Sequence, residues 1–263
     1  MPSSPDARPP LDPSRLPATV QIVDRIGSTN AGLAEQARGG APAGTTLTTE
    51  WQTAGRGRLD RGWSVPERAA VTVSTILRPE LRAADWPWLP LFAGYVVHEA
   101  LAPTVPGVAL KWPNDVLVEP GGRKLCGILV ERVDAPTGPA AVVGIGINAD
   151  QTQEELPIPN ATSVRLATGA PADRTGLLAE LLACFERERH LLDDIDELRR
   201  RYEERCITVG MEVRVELPAD RQLLGTAVGI DPSGRLLVRG GAETTAVGAG
   251  DVVHVRPAGA GTA

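Results

Sequence analysis

The stretch VALKWPNDVLVEPGGRKLCGILVERV, residues 108–133, decides how this chain is expected to fold. Both ends of the stretch are apolar and rich in β-branched residues, and Pro120, Gly121 and Gly122 lie between them. This pattern is typical of two strands that are joined by a turn. Lys124 follows the turn directly and begins the second strand. The stretch therefore predicts a strand pair with a lysine at its junction.

That lysine is unusual for this sequence. The chain has 27 basic residues, of which only Lys111 and Lys124 are lysines, and both lie in the same stretch. Lysine offers a compact charge with three rotating donors, whereas arginine offers a rigid planar fork. A site where a carboxylate meets a phosphate would favour the smaller cation. The alternative interpretation is a lysine that only protects an edge strand from unwanted pairing.

Segments on both sides of this stretch have the patterns of regular structure. Four further segments predict strands, at 18–26, 44–52, 69–79 and 140–150. Three segments predict helices, at 27–40, 86–103 and 173–205. Ser28 is the expected N-cap of the first helix, and Gly39 and Gly40 are its expected end.

The character of the chain changes near residue 206. Short alternating runs are separated by turn residues, at 211–217, 223–230, 235–239, 243–247 and 251–255. They predict a small β-barrel of about fifty residues. The expected fold class is α/β (α+β), with a mixed sheet backed by helices. The expected domains are a disordered proline-rich leader at 1–18, a large domain at 19–205, the barrel at 206–257 and a flexible tail at 258–263.

Composition excludes several classes of protein. The net charge of −6 disfavours broad nucleic-acid binding, which needs a basic face. No run approaches the roughly 20 apolar residues that cross a bilayer, so no membrane association is expected. The three cysteines and three histidines have no metal-ligand spacing. We expect reduced thiols, a cytoplasmic location and no structural metal.

Residues 53–69 form a segment rich in glycine and arginine, which predicts a long charged loop. Alternating glycines expose backbone N–H groups, and Arg56, Arg58 and Arg61 add donors suited to phosphate or carboxylate. Such a loop is expected to move when it is empty and to become ordered around an anion. The alternative is a solvated basic loop or a segment that touches RNA.

The sequence KWPND at 111–115 places Asn114 and Asp115 in a turn after a strand. An Asn-Asp pair most often forms an Asx-turn or a helix cap. The functional alternative places both residues at a nucleotide or a metal-bound phosphate.

Taken together, these motifs resemble those of the biotin–protein ligases, or biotin–acetyl-CoA-carboxylase ligases, over roughly residues 20 to 256. They occur in the order STN at 28–30, QTAGRGRxxRGW at 52–63, KWPNDVL at 111–117, KLCGILVE at 124–131 and GIGIN at 144–148. The resemblance implies a core similar to class II aminoacyl-tRNA synthetases, followed by an SH3-like barrel.

The resemblance also implies an activity. Enzymes of this family join biotin to ATP with Mg²⁺, giving biotinyl-5′-adenylate and pyrophosphate. They then transfer the biotinyl group to a lysine of a carrier domain. The expected acceptor is the biotin carboxyl carrier domain of acetyl-CoA or acyl-CoA carboxylase, or of pyruvate carboxylase. DNA binding is not expected because only about 18 residues precede the core, and the chain is expected to be a monomer or a weak homodimer.

Site residues follow from the same resemblance, with Lys124 and Arg56 as the catalytic pair and the metal ligands left open. The biotin-binding residues are expected to be Ser28, Thr29, Asn30, Gln52, Arg56, Gly57, Arg58, Lys124, Gly127, Ile128 and Gly144. The ATP-binding residues are expected to be Arg58, Arg61, Trp63, Lys111, Asn114, Ile147 and Asn148.

The chain also departs from the family pattern. Leu59 and Asp60 stand where arginine or glycine is often found, and Cys126 replaces a small residue, which we interpret as packing. Two alternatives stay open. One is a lipoate–protein ligase, which shares the adenylation chemistry and would need a longer apolar slot. The other is a non-catalytic module that binds nucleotides or RNA.

Overall fold

The computed structural model describes residues 8–58, 61–217, 221–248 and 251–254. For Arg221 and residues 251–254 it describes the backbone alone. Within these ranges, no helix combines the length and the apolar character needed to cross a membrane.

The strands and helices follow one another along the chain. The strands are β1 Val20–Ile26, β2 Thr46–Gln52, β3 Gly55–Arg56, β4 Gly62–Trp63, β5 Ala70–Leu77, β6 Val108–Lys111, β7 Asp115–Val118, β8 Arg123–Val133, β9 Ala140–Asn148, β10 Glu212–Leu217, β11 Arg221–Ile230, β12 Leu236–Gly240, β13 Glu243–Val247 and β14 Asp251–His254. The helices are α1 Thr29–Arg38, α2 Trp88–Leu101, α3 Val164–Thr168, α4 Arg174–Glu188 and α5 Ile195–Arg205. Short 3-10 helices occur at Pro13–Arg15, Ala83–Asp85, Gln153–Glu155 and Arg189–Leu192.

A seven-stranded mixed sheet forms the centre of the large domain, in the order β1-β2-β5-β9-β8-β7-β6. Strands β1 and β2 pair in parallel, and the other neighbours pair antiparallel. Successive side chains of β9 point to opposite faces, so Val142 packs with α1 while Val143 packs with α2 and α4. Burial on both faces explains why residues 140–143 of this strand are all apolar. The predicted mixed sheet backed by helices is confirmed.

Helix α1 begins as the sequence predicts. The Ser28 side chain accepts a hydrogen bond from Ala31 N, and Gly39 follows the last helical residue. This cap places the N-terminus of α1 beside the end of β1. The polar residues Thr29 and Asn30 therefore lie against the sheet, and both are buried.

The stretch 108–133 contains three strands, so the prediction of two is wrong. Lys111 pairs with Asp115 across a tight reversal that contains Trp112 and Pro113. Proline has no backbone N–H to donate to a ladder, so the strand cannot continue through it. The predicted turn after Pro120 then joins β7 to β8.

The expectation of a disordered leader is wrong for residues 8–18. Leu11 and Leu16 are buried in the main core, and Arg8 is 3% exposed among carboxylates that are distant in sequence. We call residues 8–16 the N-terminal strap. Prolines lie on both sides of its apolar residues. Composition alone cannot reveal that Arg8 pairs with carboxylates more than a hundred positions away.

The C-terminal region forms a five-stranded antiparallel sheet in the order β13-β12-β11-β10-β14. All five predicted strands are present, although a pairing of β13 with β14, which would close a barrel, does not occur among the described residues. Two indole groups of the large domain donate to the turn before β12. Trp112 Nε1 lies 3.0 Å from Gly234 O, and Trp88 Nε1 lies 2.9 Å from Pro232 O.

Replacement of Arg174 by methionine should destabilise the protein strongly. Arg174 Nη2 lies 2.8 Å from Glu50 Oε2, and these side chains are 4% and 3% exposed. Loss of the cation leaves a buried carboxylate uncompensated, which typically costs about 3–5 kcal/mol. Urea denaturation measures the change, with Arg15→Gln as the control because the Arg15–Asp173 pair is about half exposed. Equal losses in both variants would contradict this account.

Candidate active site

A cavity of about 430 Å³ opens beside the N-terminus of α1, β8 and β9, a size typical of small-molecule sites. It is lined by Ser28, Thr29, Asn30, Gln52, Arg56, Gly57, Arg58, Arg61, Gly62, Trp63, Thr72, Lys111, Trp112, Pro113, Asn114, Asp115, Lys124, Gly127, Ile128, Leu129, Gly144, Ile145, Gly146, Asn148, Pro157, Ile158 and Ala161.

One end of the cavity is polar, and its groups hold one another in place. Gln52 Oε1 accepts from Thr29 N at 2.9 Å and from Thr29 Oγ1 at 3.1 Å. Ser74 Oγ donates to Asn30 Oδ1 at 2.6 Å, and Asn30 Nδ2 donates to Glu131 Oε2 at 2.7 Å. Because these buried groups are paired, the polar end is a preformed surface.

The middle of the cavity has a glycine floor on β8 and β9. A side chain at Gly144 would collide with the Asn30 amide, and a Cβ at Gly146 would come within 2.5 Å of the Trp63 indole. The same indole lies 3.3 Å from the Cβ position of Gly127. The glycines therefore leave room for side chains that lie flat on the sheet.

The other end of the cavity is strongly cationic. Its lining contains four cationic side chains and one carboxylate, Asp115. The cations are Arg58, Arg61, Lys111 and Lys124, whereas Arg56 binds Glu131 beside Asn30 at the polar end. Burial lowers the pKa of Lys111; Asp115 opposes this effect, while Lys124 and Arg61 add to it. An excess of positive charge in a partly enclosed cavity favours the binding of anions.

The backbone of Lys124 is held at this end by two hydrogen bonds to residues 160 and 162. Its N–H donates to Asn160 O at 2.9 Å, and its carbonyl accepts from Thr162 N at 2.9 Å. The side chain crosses to β7, where Nζ lies 2.7 Å from Asp115 Oδ1. Lys124 and Asp115 are 28% and 21% exposed, so the ammonium remains accessible from the cavity.

Asn114 and Asn148 flank the cationic end. Arg58 Nη1 donates to Asn114 Oδ1 at 2.8 Å, and Asn114 Nδ2 donates to Ile128 O at 3.0 Å. Asn148 Nδ2 donates to Thr162 O at 3.0 Å, and its Oδ1 accepts from Gln151 Nε2 at 3.0 Å. Both amides are therefore held in fixed orientations.

The glycine-arginine segment covers the cavity, and it is more regular than predicted. Strands β3 and β4 pair Gly55 with Trp63, so the segment contains a small hairpin and is not only a loop. Arg56 Nη2 lies 3.2 Å from Glu131 Oε1. The Trp63 Nε1 atom is buried and has no acceptor among the described residues. The departures at Leu59 and Asp60 lie outside the described residues.

Of the predicted site residues, all but Ile147 line the cavity. Ile147 is fully buried in the core between β5 and β8, so its expected contact with a nucleotide is wrong. Strand alternation turns it to the face opposite that of Gly146 and Asn148. Cys126 is also fully buried, in agreement with its interpretation as packing, and burial raises the pKa of its thiol.

Sequence reasoning missed other lining residues as site candidates. These are Gly62, Thr72, Trp112, Pro113, Leu129, Ile145, Gly146, Pro157, Ile158 and Ala161. Alternation from Gly144 could have found Gly146. No comparable signal pointed to Pro157 and Ile158, which come from an irregular segment after β9.

No metal site built from protein groups alone is evident in the described ranges. Nowhere in them do three His, Cys, Asp or Glu side chains gather in a way that could hold a metal ion. The carboxylate of the cavity, Asp115, is already paired with Lys124.

Comparison with known proteins agrees with this architecture. Residues 22–148 match the Biotin/lipoate A/B protein ligase family, and residues 208–255 match the Biotin protein ligase C terminal domain. The first match places the large domain among protein ligases for biotin or lipoate.

Individual relatives show which kind of protein ligase the chain resembles. The chain is 39% identical to the biotin–[acetyl-CoA-carboxylase] ligase of Mycobacterium tuberculosis, over 95% of this chain and 97% of the relative. It is 32% identical to the bifunctional ligase/repressor BirA of Escherichia coli, over 84% of this chain and 69% of the relative. The chain belongs to the biotin protein ligases.

A solved structure supports the same conclusion. The biotin protein ligase of Aquifex aeolicus, in complex with biotin and ATP, superposes with a TM-score of 0.77 at 28% identity. The superposition covers 90% of this chain and 98% of that structure.

Replacement of Gly146 by alanine should displace Trp63 without unfolding the protein. The new Cβ would lie 2.5 Å from the indole, and the partly exposed Trp63 side chain can move away from it. The indole region of a ¹H–¹⁵N spectrum contains one signal for each of the five tryptophans. We expect the Trp63 signal to shift. Gly62→Ala is the control because a Cβ there meets nothing within 4 Å. An unmoved Trp63 signal in Gly146→Ala would contradict the close contact.

Proposed function

We propose that this protein joins biotin to ATP, forming biotinyl-5′-adenylate and pyrophosphate, and then transfers the biotinyl group to a lysine of a biotin carboxyl carrier domain. The observation that carries the proposal is the order of surfaces along the cavity. A paired polar end is followed by a glycine floor and then by an end with four cations and one carboxylate.

Biotin has the same order of chemical groups. Its ureido ring carries donors and an acceptor, which suit the hydroxyl and amide groups of Ser28, Thr29, Asn30 and Gln52. Its apolar ring and chain suit the glycine floor and Trp63. Its carboxylate would then reach the cationic end, where the phosphates of ATP would also bind.

Lys124 is the proposed catalytic cation. When the biotin carboxylate attacks the α-phosphorus of ATP, two anions approach and charge accumulates on the five-coordinate phosphorus. A preorganised ammonium stabilises that charge. Its ion pair with Asp115 holds Nζ in place before the substrates arrive. Arg58, Arg61 and Lys111 would neutralise the departing pyrophosphate.

Once the mixed anhydride has formed, the protein must protect it. The glycine-arginine segment covers the cavity, and Arg56 is held by Glu131 on β8. We infer that this contact helps to keep the segment closed, which excludes water from the reactive acyl group. The acceptor amine then attacks the acyl carbon, and AMP leaves.

Magnesium fits this site as part of the nucleotide substrate. Mg²⁺ is commonly held by substrate phosphates, waters and one or two carboxylates, and it rarely needs a cage of protein ligands. The cavity lining contains one carboxylate, Asp115, which is already paired with Lys124, so the phosphates and waters would supply most of the ligands. We therefore propose that Mg²⁺ enters as MgATP.

The identity of the acceptor is the next part of the proposal. Biotin protein ligases as a family act on carrier domains of carboxylases, and a relative is named for acetyl-CoA carboxylase. Acetyl-CoA or acyl-CoA carboxylase is therefore the first candidate, and pyruvate carboxylase is the second. The monomeric or weakly dimeric state, the absence of DNA binding and the cytoplasmic location stay predictions.

Lipoate is the competing substrate. It lacks a ureido group, so its binding would cover the hydroxyl and amide groups at the polar end without forming the hydrogen bonds that a ureido ring can make. A site built around such polar contacts rejects an analogue that cannot make them. The geometry therefore favours biotin.

The direct test is ATP–pyrophosphate exchange by the purified full-length chain. We expect exchange that depends on biotin and Mg²⁺, and no exchange with lipoate. Exchange that lipoate supports equally well would overturn the biotin assignment. Exchange with neither acid would overturn the adenylation proposal.

Replacement of Lys124 by arginine should keep the fold and reduce exchange by roughly 100-fold, the scale of a lost transition-state donor. The wider guanidinium cannot occupy the position of the ammonium beside Asp115. Arg123→Lys is the control because Arg123 precedes Lys124 on β8 and does not line the cavity. Near-normal exchange in Lys124→Arg would exclude the proposed role.

Replacement of Arg56 by alanine should release biotinyl-adenylate several-fold faster because closure over the intermediate is weakened. The release rate can be followed with radiolabelled ATP after rapid gel filtration. Arg132→Ala is the control because Arg132 on β8 pairs with Asp134, just after that strand, outside the cavity. If both variants release the intermediate at the wild-type rate, Arg56 has no part in closure.

A further inference from the structure

The N-terminal strap contributes a buried cation to an ion cluster outside the cavity. Arg8 Nε lies 3.1 Å from Asp150 Oδ2, and Arg8 Nη2 lies 2.5 Å from Glu155 Oε2. Arg8 Nη2 also donates to the carbonyl of Asp150 at 2.9 Å. The three side chains are 3%, 9% and 13% exposed. Water screens such a cluster weakly, so its geometry is strongly held.

Both carboxylates belong to one segment, residues 149–162, which follows β9. We call it the 149–162 segment. Its only regular structure among the described residues is the 3-10 helix Gln153–Glu155. Glu155 Oε2 also accepts from Thr152 N at 2.9 Å and closes the start of this short helix. Arg8 therefore helps to hold the first half of the segment, together with Arg165, which also pairs with Asp150, and Ala69 O, which accepts from Asp150 N.

The second half of the segment forms a wall of the cavity at its cationic end. Pro157, Ile158 and Ala161 line the cavity, and Pro157 lies two residues after Glu155. The segment then runs beside Lys124, where Asn160 O and Thr162 N bind its backbone.

Residues 157–160, which lie between these two anchors, are exposed. Ile158 is 47% exposed although it is a large apolar residue that lines the cavity. Exposed residues with few packing partners take their position from the anchors on either side. One anchor is the pairing with Lys124, and the other is the Arg8 cluster.

A second link connects the start of the segment to the cavity. Gln151 follows Asp150 and donates from Nε2 to Asn148 Oδ1 at 3.0 Å. Asn148 lines the cationic end. A shift at Asp150 would therefore change the orientation of an amide that faces the phosphates in the proposed function.

We propose that Arg8 is a positioning residue for the nucleotide. Through Glu155 and Asp150 it holds the 149–162 segment in the position where that segment forms the wall at the cationic end of the cavity. This inference rests on the proposed function. Arg8 and Glu155 both lie outside residues 22–148 and 208–255, which the family models match. The wall of the cavity thus depends on a contact that the family motifs do not contain.

The test compares Arg8→Met, Glu155→Gln and the double variant in the full-length chain. Glu155→Gln is the milder change because glutamine keeps the shape of the side chain and an acceptor for Thr152. Arg8→Met removes the cation and serves as the second variant. Arg15→Gln is the control, since Arg15 also lies in the strap and pairs with Asp173 on an exposed surface.

We expect Glu155→Gln to raise the KM for ATP by roughly tenfold, the scale of a modest misplacement of a bound group. The KM for biotin and the kcat should change less than twofold. The double variant should be no worse than Arg8→Met alone, because both changes break the same contact. Arg15→Gln should leave all three constants unchanged. A wild-type KM for ATP in both single variants would overturn the proposal. Equal increases in the KM for ATP and the KM for biotin would also overturn it.

Hydrogen–deuterium exchange without ligands separates this inference from the proposed function. We expect faster exchange in the 149–162 segment of Glu155→Gln and unchanged exchange in α1 and β5. If the wild-type protein lacks biotin-dependent exchange activity but the segment loosens as expected, the proposed function fails and the positioning contact stands. If the segment exchanges at its wild-type rate, the positioning role fails whatever the activity.

Discussion

The ion pair between Lys124 Nζ and Asp115 Oδ1, 2.7 Å long, is the contact on which the arrangement of the site depends. Asp115 begins β7, and Lys124 is the second residue of β8, so the hairpin between these strands brings them together. Both are partly exposed, and such pairs contribute little to stability. The pair matters because it fixes an ammonium at one point of a cavity that is rich in positive charge.

That positive charge is unfavourable in the protein without ligands. Burial and the neighbouring cations Lys124 and Arg61 lower the pKa of Lys111. Burial likewise lowers the pKa of Arg58, with Arg61 adding to the effect against the opposing influence of Asp115. An anionic ligand relieves this repulsion, so its binding should stabilise the folded state. The polar end has no such imbalance because its groups are already paired with one another.

The elements with strong local signals could be predicted from sequence. The Ser28 cap defined α1, and the β-branched runs defined the central strands. The predictions that were wrong depended on distant contacts, on a tight reversal or on the alternation of side chains along a strand. The Trp112–Pro113 turn divided one expected strand, Arg8 found carboxylates at residues 150 and 155, and strand alternation turned Ile147 into the core. The family motifs located both ends of the cavity, but they did not reveal the wall from Pro157 to Ala161.

The most direct measurement of the central claim uses the two lysines of the chain as probes. Selective ¹⁵N,¹³C labelling of lysine gives one side-chain signal for Lys111 and one for Lys124, and a Lys111→Arg variant assigns them. Addition of biotin with a non-hydrolysable ATP analogue should shift the Lys124 signal strongly, because its ammonium would contact both the carboxylate and the α-phosphate. Lipoate with the same analogue should not reproduce the full shift. A Lys124 signal that stays unchanged while both ligands are bound would contradict the account.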